Sequence, residues 1–333
     1  MNSLLFQNKL IGYITGTAQL LIFFLVGVFF NDYTQEHSNM IGWDILNVPT
    51  WSVFSKNLAA FLLILLQAFF LDILISSKNI YERSTGLPFL LYTLFMGAHP
   101  ALRSFSPALV ALTFLIASWG IILNMYQQKK AMFASFNVGL LTTIATLFWL
   151  PAAVFHLFNI IAAAVIRPVS YKDAIAFIIG GFIPILYISC FYIALPYEFT
   201  QYPSLLINNI HDSFSPYRFS PAVWSYASAV FILLNLSLLN FFQNVGRLKI
   251  ISRRFITICI IVPVFLIAGI SLAENPNGSH FSAIAVPFTV LLAQAILALN
   301  DERIIKIGLI TMFLLILWLQ IDWYFEISFS ILG

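Results

Sequence analysis

Long apolar stretches recur along the whole chain and are separated by short segments that carry most of the charged residues. A helix that crosses the hydrocarbon core of a bilayer needs about 20 predominantly apolar residues. The stretches that reach about this length are Leu10–Phe30, Asn57–Ser76, Ser106–Tyr126, Ala174–Leu195, Pro221–Phe242, Phe255–Leu272, Phe281–Leu299 and Ile305–Tyr324. Each predicts one transmembrane helix, so the pattern indicates an all-α, polytopic transmembrane helix bundle.

Two further apolar regions do not have the length of one ordinary span. Leu87–Gly97 is short, and we predict that it crosses as a short helix. Asn137–Ile166 is too long for one span and contains Trp149-Leu150-Pro151 in its middle. Because proline removes a helix hydrogen bond and breaks or kinks the helix, we predict two short helices in Asn137–Ile166, with a reversal of the chain at Pro151.

The positions of Lys and Arg support this reversal, since cytoplasmic loops of membrane proteins collect these residues. With about 11 crossings, a cytoplasmic N-terminus and an outer C-terminus, the cytoplasmic side receives Lys9, Lys78, Arg83, Lys129, Lys130, Arg167, Lys172, Arg247, Lys249, Arg253, Arg254, Arg303 and Lys306. The outer side receives only Lys56, Arg103 and Arg218. A single crossing at Asn137–Ile166 would move the basic cluster at 247–254 outside.

Composition agrees with a membrane location, since 61% of the 333 residues are hydrophobic and 9% are charged. Soluble domains carry about 25% charged residues. We therefore predict one transmembrane domain over residues 1–333 and no soluble domain. The net charge is only +3, and the sequence has no run of basic residues that would indicate a nucleic-acid partner. No cofactor is predicted, and no metal, because the ligand spacing is missing.

The two longest loops, Asn31–Lys56 and Pro196–Ser220, fall on the predicted outer side. Both mix aromatic and aliphatic residues with polar ones, which is typical of a helix or segment that lies in the membrane plane. Anchoring at the headgroup level is the plainer interpretation, because Trp and Tyr are enriched there. The functional alternative is a lid over a lipid-linked substrate.

Polar residues inside the predicted spans usually face the bundle and find partners there. We expect Asp72, near the cytoplasmic end of its span, to pair with a Lys or Arg. Hydrogen bonds between helices are the expected role of the amides inside the spans. These amides are Gln19, Gln67, Asn124, Asn159, Asn235, Gln294 and Gln320.

Three predicted outer turns carry the candidate chemistry: Asn31-Asp32-Tyr33, the turn from Ala98 to Arg103, and the turn from Glu274 to His280. A carboxylate at these turns can act as a general base. An Arg at the same place can hold a phosphate through its planar fork of donors. Transfer of a group from a membrane-anchored phosphate donor needs both. We therefore predict a site where these turns meet.

Several of these segments together resemble the membrane glycosyltransferases of the C superfamily (GT-C). They are the helix Phe105–Leu123, the basic turn Gln127–Lys130, the broken helix pair around Val138–Pro151 and the turn Asn277–Pro287. The resemblance covers about residues 10–300 in layout. The chain also resembles a family of bacterial multi-pass inner-membrane proteins to which no activity can be assigned.

The GT-C resemblance implies a function in bacterial envelope glycan assembly, at the inner membrane. Such enzymes transfer sugars from polyprenyl-phosphate carriers on the non-cytoplasmic face, with a catalytic acid just after the first helix. That position is Asp32 here, with Asp44 as the second candidate. Arg103 would contact the donor phosphate, with His280, His99 and Glu274 as further substrate-binding candidates. The implied partners are membrane lipids, a polyprenyl-phosphate-linked sugar and envelope proteins.

Two other functions fit the same pattern. A catalytically inactive scaffold subunit of an envelope complex is one, since Phe148-Trp149 replaces the basic residue usual in the broken-helix turn. A lipid or small-solute transporter is the other, with polar residues such as Gln67 and Asn159 lining a path. A transporter is expected to have a cavity near the midplane between two related halves, whereas a scaffold is expected to have a filled centre.

Overall fold

Helices account for 89% of the residues that the computed structural model describes, and none of these residues forms a strand. The described residues are 9–29, 43, 48, 51–81, 85–128, 130–194, 221–271, 278–298 and 302–325. The all-α prediction is therefore confirmed for this part of the chain.

The α-helices follow one another in an order close to the predicted one. They are α1 (Lys9–Phe29), α2 (Val53–Ser77), α3 (Leu87–Gly97), α4 (Pro100–Arg103), α5 (Pro107–Asn124), α6 (Met132–Phe148), α7 (Val154–Ile166), α8 (Tyr171–Ala194), α9 (Pro221–Asn244), α10 (Ile250–Ile270), α11 (Ala285–Ala298) and α12 (Glu302–Phe325). Short 3-10 helices occupy Leu150–Ala153, Val245–Arg247 and Gly278–Ile284.

The described residues contain 7 helices that are long and apolar enough to cross a membrane. Shorter apolar helices lie at Leu87–Gly97, Met132–Phe148, Leu150–Ile166 and Ile310–Asp322. Large aliphatic and aromatic side chains are exposed along the outside of the bundle, such as Ile178 and Phe231. The chain is therefore a multi-pass membrane protein, while the predicted number of about 11 crossings stays a prediction.

The chain reverses at Pro151, as predicted. Helix α6 ends at Phe148, and α7 runs back beside it after the 3-10 helix Leu150–Ala153. Asn159 Nδ2 donates a hydrogen bond of 2.6 Å to Thr142 Oγ1, and Thr143 Oγ1 lies 2.9 Å from His156 Nε2. These two pairs join residues before and after the turn in opposite order, so α6 and α7 are antiparallel.

The packing of α6 against α8 supports the reversal independently. Met132, at the start of α6, lines the same groove as Lys172, at the start of α8. Further along both helices, Thr143 Oγ1 lies 3.0 Å from the position that a Cβ on Gly181 would take. The two helices are therefore parallel. One continuous helix in place of α6 and α7 would have made α8 antiparallel to α6.

Basic residues gather at one end of the bundle, which we call the basic end. Contacts between distant segments define it: Lys9 Nζ donates to Ser76 Oγ at 2.7 Å, and Ser252 Oγ to the Ile80 carbonyl at 2.7 Å. The Arg167 guanidinium likewise donates to the Gln128 carbonyl at 3.0 Å. The described cations at or beside these helix ends are Lys9, Lys78, Lys130, Arg167, Lys172, Arg247, Lys249, Arg253 and Arg254.

Asp72 is fully buried near the basic end and pairs with a lysine, as predicted. Its Oδ2 accepts a hydrogen bond of 2.6 Å from the Tyr13 hydroxyl and lies 3.5 Å from Lys9 Nζ. Because an isolated carboxylate inside a bilayer is costly, this pairing allows the acid to remain buried.

Three of the seven predicted amide contacts between helices are confirmed and one, at Asn235, is wrong, while the side chains of Gln19, Asn124 and Gln294 make no hydrogen bond within the described residues. Gln67 Nε2 donates to the Leu109 carbonyl at 2.8 Å, and Asn159 and Gln320 also bond across helices. Asn235, by contrast, donates to Phe231 O of its own helix, at 2.7 Å, while its side chain is exposed. An amide can satisfy its donor on the preceding turn, so a polar residue in a span does not by itself indicate a neighbouring helix.

Three helices, α3, α5 and α11, form the centre of the bundle. Every residue of α3 except Leu90 is buried. At 1.5 Å per residue its 11 residues extend only about 16 Å. A helix this short is suited to a bilayer protein only where neighbouring helices cover its ends.

Glycines allow α6 and α8 to pack closely, so replacing one of them should destabilise the protein. The same substitution at a glycine without neighbours should not. At Gly180 a Cβ would lie 2.0 Å from the Phe136 carbonyl oxygen, so the helices would have to separate. We expect Gly180→Ala to lower the free energy of unfolding by about 1–3 kcal/mol. The measurement is a detergent unfolding titration of the purified protein.

The matched control is Gly308→Ala in α12, since no described atom lies within 4 Å of a Cβ at that position. Alanine favours helix over glycine by about 1 kcal/mol, so this variant should be as stable as wild type or more so. Equal losses in the two variants would contradict the close packing.

Candidate functional site

The opposite end of the bundle, which we call the Pro151 end, brings together turns that are far apart in sequence. A Cβ on Gly269 would lie 2.8 Å from the Pro151 carbonyl oxygen, so α10 packs directly on the hairpin turn. The rings of Trp149 and His280 lie 5.8 Å apart between centroids. A Cβ on Gly278 would lie 2.8 Å from Ala101 Cβ.

Three of the predicted site residues, His99, Arg103 and His280, lie at this end. The three predicted acids, Asp32, Asp44 and Glu274, lie outside the described residues. Their roles, and the convergence of Asp32 with Arg103, stay predictions.

A tight corner between α3 and α5 positions His99 and Arg103. His99 caps α4, because its Nδ1 accepts a hydrogen bond of 3.1 Å from the Ala101 backbone N–H, and Pro100 starts that helix. Ser106 then caps α5 in the same way, by accepting from Leu109 N–H at 3.2 Å. Side-chain caps and prolines at helix starts are a common combination, and here they fix the turn.

Arg103 is held by a glutamine from the far end of the sequence. Its guanidinium donates to Gln320 Oε1 at 3.3 Å, and Gln320 Nε2 donates to the carbonyls of Gly97 and Ala98 at 3.0 and 2.8 Å. Gly27 lies beside the guanidinium, with a Cβ position 3.5 Å from Nη2. The cavity beside Arg103 has a volume of about 20 Å³, which is room for about one water molecule.

A much larger cavity, of about 390 Å³, lies on the other side of the same corner. It is bounded by α9, by the 3-10 helix Gly278–Ile284, by the corner residues His99 and Leu102, and by Leu319 of α12. The α9 side chains that line it are Val223, Trp224, Tyr226, Ala227, Val230, Phe231 and Leu234. The volume is within the usual range for small-molecule sites, and the lining is almost wholly apolar.

His99 is the titratable side chain at the boundary of this cavity, together with Tyr226. The Tyr226 hydroxyl is buried and has no hydrogen-bond partner within the described part of the chain. His99 is 8% exposed. An occupant of the cavity would therefore be apolar over most of its length and polar where it meets these two residues.

The three predicted substrate-binding residues that are described thus occupy separate surroundings at one end. Arg103 lies towards α1 and α12, His99 borders the apolar cavity, and His280 packs against Trp149. Each of the cavities found among the described residues is lined by at most one of the three.

Two tryptophans of the first long loop also lie at this end. Trp43 and Trp51 both stack on Phe105. Their ring centroids lie 5.1 and 5.4 Å from the Phe105 centroid, respectively. Trp43 is only 2% exposed, so it packs in the protein core and not in the interfacial belt. Most of Asn31–Lys56 and all of 195–220 lie outside the described residues.

Two features of this end were not predictable from the residue pattern. The first is the bond between Gln320 and Arg103: Gln320 is recognisable as an amide in an apolar span, but its partner is 217 residues away. The second is the apolar cavity, whose lining in α9 has the same residue types as the lipid-facing surface. Apolar side chains line both surfaces, so no pattern distinguishes them.

The fold and the apolar outer surface define an integral membrane protein with several spanning helices. No family model, curated protein or solved structure matches the chain. Membership of the GT-C superfamily therefore stays a prediction.

The Gln320 amide should stabilise the corner measurably. We expect Gln320→Leu to lower the free energy of unfolding by about 1–3 kcal/mol, because the buried carbonyls of Gly97 and Ala98 and the Arg103 guanidinium each lose a partner. Detergent unfolding titrations measure this change.

The matched control is Gln294→Leu on α11, where the side chain is half-buried and makes no hydrogen bond within the described part of the chain. This variant should unfold within about 0.5 kcal/mol of wild type. Equal free energies of unfolding for the two variants would mean that the hydrogen bonds of Gln320 do not stabilise the corner.

Proposed function

We propose that this chain is a GT-C-like membrane protein of bacterial envelope glycan assembly. In this proposal it holds the lipid part of a polyprenyl-phosphate sugar in the apolar cavity at the Pro151 end. The cavity is the observation that carries the proposal, because it lies beside the corner where the donor phosphate is expected. An isoprenoid chain is apolar along its whole length, and so is most of the cavity wall.

The polar boundary of the cavity suits a phosphate headgroup. His99 and Tyr226 line the cavity, and an imidazole or a phenol can donate a hydrogen bond to a phosphate oxygen. Arg103 follows His99 by one turn of α4, and its backbone N–H donates to the His99 carbonyl at 3.3 Å. We assign Arg103 the role of a nearby positive charge that makes this end favourable for an anion.

The proposed reaction uses Asp32 as the general base. A hydroxyl oxygen of the acceptor attacks the anomeric carbon of the sugar, and the bond from that carbon to the phosphate oxygen breaks. The polyprenyl phosphate leaves with the electron pair, and Asp32 takes the hydroxyl proton. Asp44 is the second candidate for the base, with Glu274 and His280 near the substrate.

The proposal includes an orientation in the bacterial inner membrane. The basic end would face the cytoplasm and the Pro151 end the opposite side, with about 11 crossings. Support comes from the grouping of nine described cations at the basic end, against Lys56 and Arg103 at the other, and from the reversal between α6 and α7, which returns the chain to the basic end.

A catalytically inactive scaffold subunit of an envelope complex is the second candidate. The favouring observation is the state of Arg103, whose guanidinium already bonds to Gln320 beside a cavity of about 20 Å³. This cavity has room for about one water molecule and not for a phosphate group beside Arg103. A scaffold would keep the lipid cavity and carry out no transfer.

Filling the cavity tests the binding step. Val230 lines the cavity and is 8% exposed, whereas Leu236 on the same helix is 57% exposed. We expect Val230→Trp to reduce photocrosslinking of a diazirine-bearing polyprenyl phosphate by about tenfold, since the loss of contact for about two methylene groups costs that much. The crosslinking yield of Leu236→Trp should equal that of wild type, and mass spectrometry identifies the labelled residues. Equal labelling of both variants would exclude the cavity as the carrier site.

Replacing the proposed base tests the reaction step. Asp32→Asn should abolish sugar transfer by the purified protein in lipid, because the amide cannot accept the hydroxyl proton, while crosslinking of the carrier stays unchanged. Undiminished transfer by Asp32→Asn would end the assignment of Asp32. Carrier binding by wild type with no transfer from any polyprenyl donor would favour the scaffold.

A further inference from the structure

A separate groove of about 330 Å³ lies at the basic end, on the outside of the bundle between the first turns of α6 and α8. Its lining includes Phe133 and Phe136 from α6, and Ile175, Ala176 and Ile179 from α8. Lys172 is the only charged residue among the residues that line it. The groove shares no lining residue with the cavity at the Pro151 end.

The shape of this groove follows from the close approach of the two helices. A Cβ on Gly139 would lie 2.1 Å from the Phe177 carbonyl oxygen, so the helix backbones nearly touch at that level. Ala176 is 7% exposed and forms the floor, while Phe133 and Ile175 are 77% and 53% exposed and form the walls. The result is a narrow apolar trough that is open to the surroundings of the helices.

The charge at the head of the groove is positive. Lys172 is exposed, and its ammonium lies 5.7 Å from the centre of the Tyr171 ring. The nearest acid in sequence, Asp173, is buried and is bound by Arg167 at 3.2 Å and by the Ser170 N–H at 3.1 Å. Lys130, two residues before α6, is also exposed. Both helices begin here, and helix N-termini favour anions.

We propose that this groove binds an anionic phospholipid, with one acyl chain along the apolar trough and the phosphate at Lys172. Charge complementarity identifies the occupant: a wholly apolar trough that ends at an exposed cation matches a molecule with one long chain and an anionic head. Basic pockets between transmembrane helices on the cytoplasmic side bind such headgroups. The site is independent of the proposed transferase function and lies at the opposite end of the bundle.

Lipid competition measured by native mass spectrometry tests the site. The purified protein is exposed to equal amounts of phosphatidylglycerol and phosphatidylcholine with the same acyl chains. Wild type should retain phosphatidylglycerol preferentially, and Lys172→Gln should lower this preference about fivefold, which is the ratio expected for one lysine near an anionic head. Lys249→Gln is the matched control, because Lys249 is an exposed lysine just before α10 at the same end and lies outside the groove.

Two further measurements test the trough and the charge separately, without the lysine variant. Ile179→Trp narrows the trough at a half-exposed position and should reduce the retention of both lipids. Raised ionic strength should reduce the preference of wild type, because salt screens an exposed cation. Equal retention of the two lipids by wild type, an undiminished preference in Lys172→Gln, or an equal loss in Lys249→Gln would each overturn the proposal.

Discussion

The reversal of the chain at Pro151 determines which groups lie together in this protein. Proline cannot donate the hydrogen bond that would continue α6, and the returning helix is held by the bonds of Thr142 to Asn159 and Thr143 to His156. Every helix that follows takes its direction from this turn. The parallel packing of α6 and α8, and the grouping of Lys and Arg at one end, are both consequences of it.

Much of the fold was predictable from length, charge and one proline. The spans, the reversal and the partner type of Asp72 follow from the cost of placing polar groups and broken backbone in lipid. The arrangement of the helices was not predictable. In a soluble protein one apolar face identifies the core, but here central helices such as α3 and peripheral ones such as α9 are both apolar, because lipid and protein interior accept the same side chains.

The candidate site was predictable only in part, for the same reason. The alternation of spans indicates that His99, Arg103 and His280 share one end, and they lie there. The partner of each side chain depends on packing at long range: Gln320 reaches Arg103 from α12, and Val230 contributes to a cavity beside His99. The two ends of the bundle thus differ in chemistry. One combines an apolar cavity with a few polar groups, and the other combines exposed cations with an apolar groove.

Cysteine accessibility on both sides of the hairpin tests the reversal most directly. In a background with Cys190→Ser and Cys259→Ala, Gln128→Cys and Val169→Cys lie before α6 and after α7, at exposed positions. In sealed vesicles, a membrane-impermeant thiol reagent should label both from the same face as Gly246→Cys, and from the face opposite to Ser55→Cys. Labelling of Gln128→Cys and Val169→Cys from opposite faces would contradict the account.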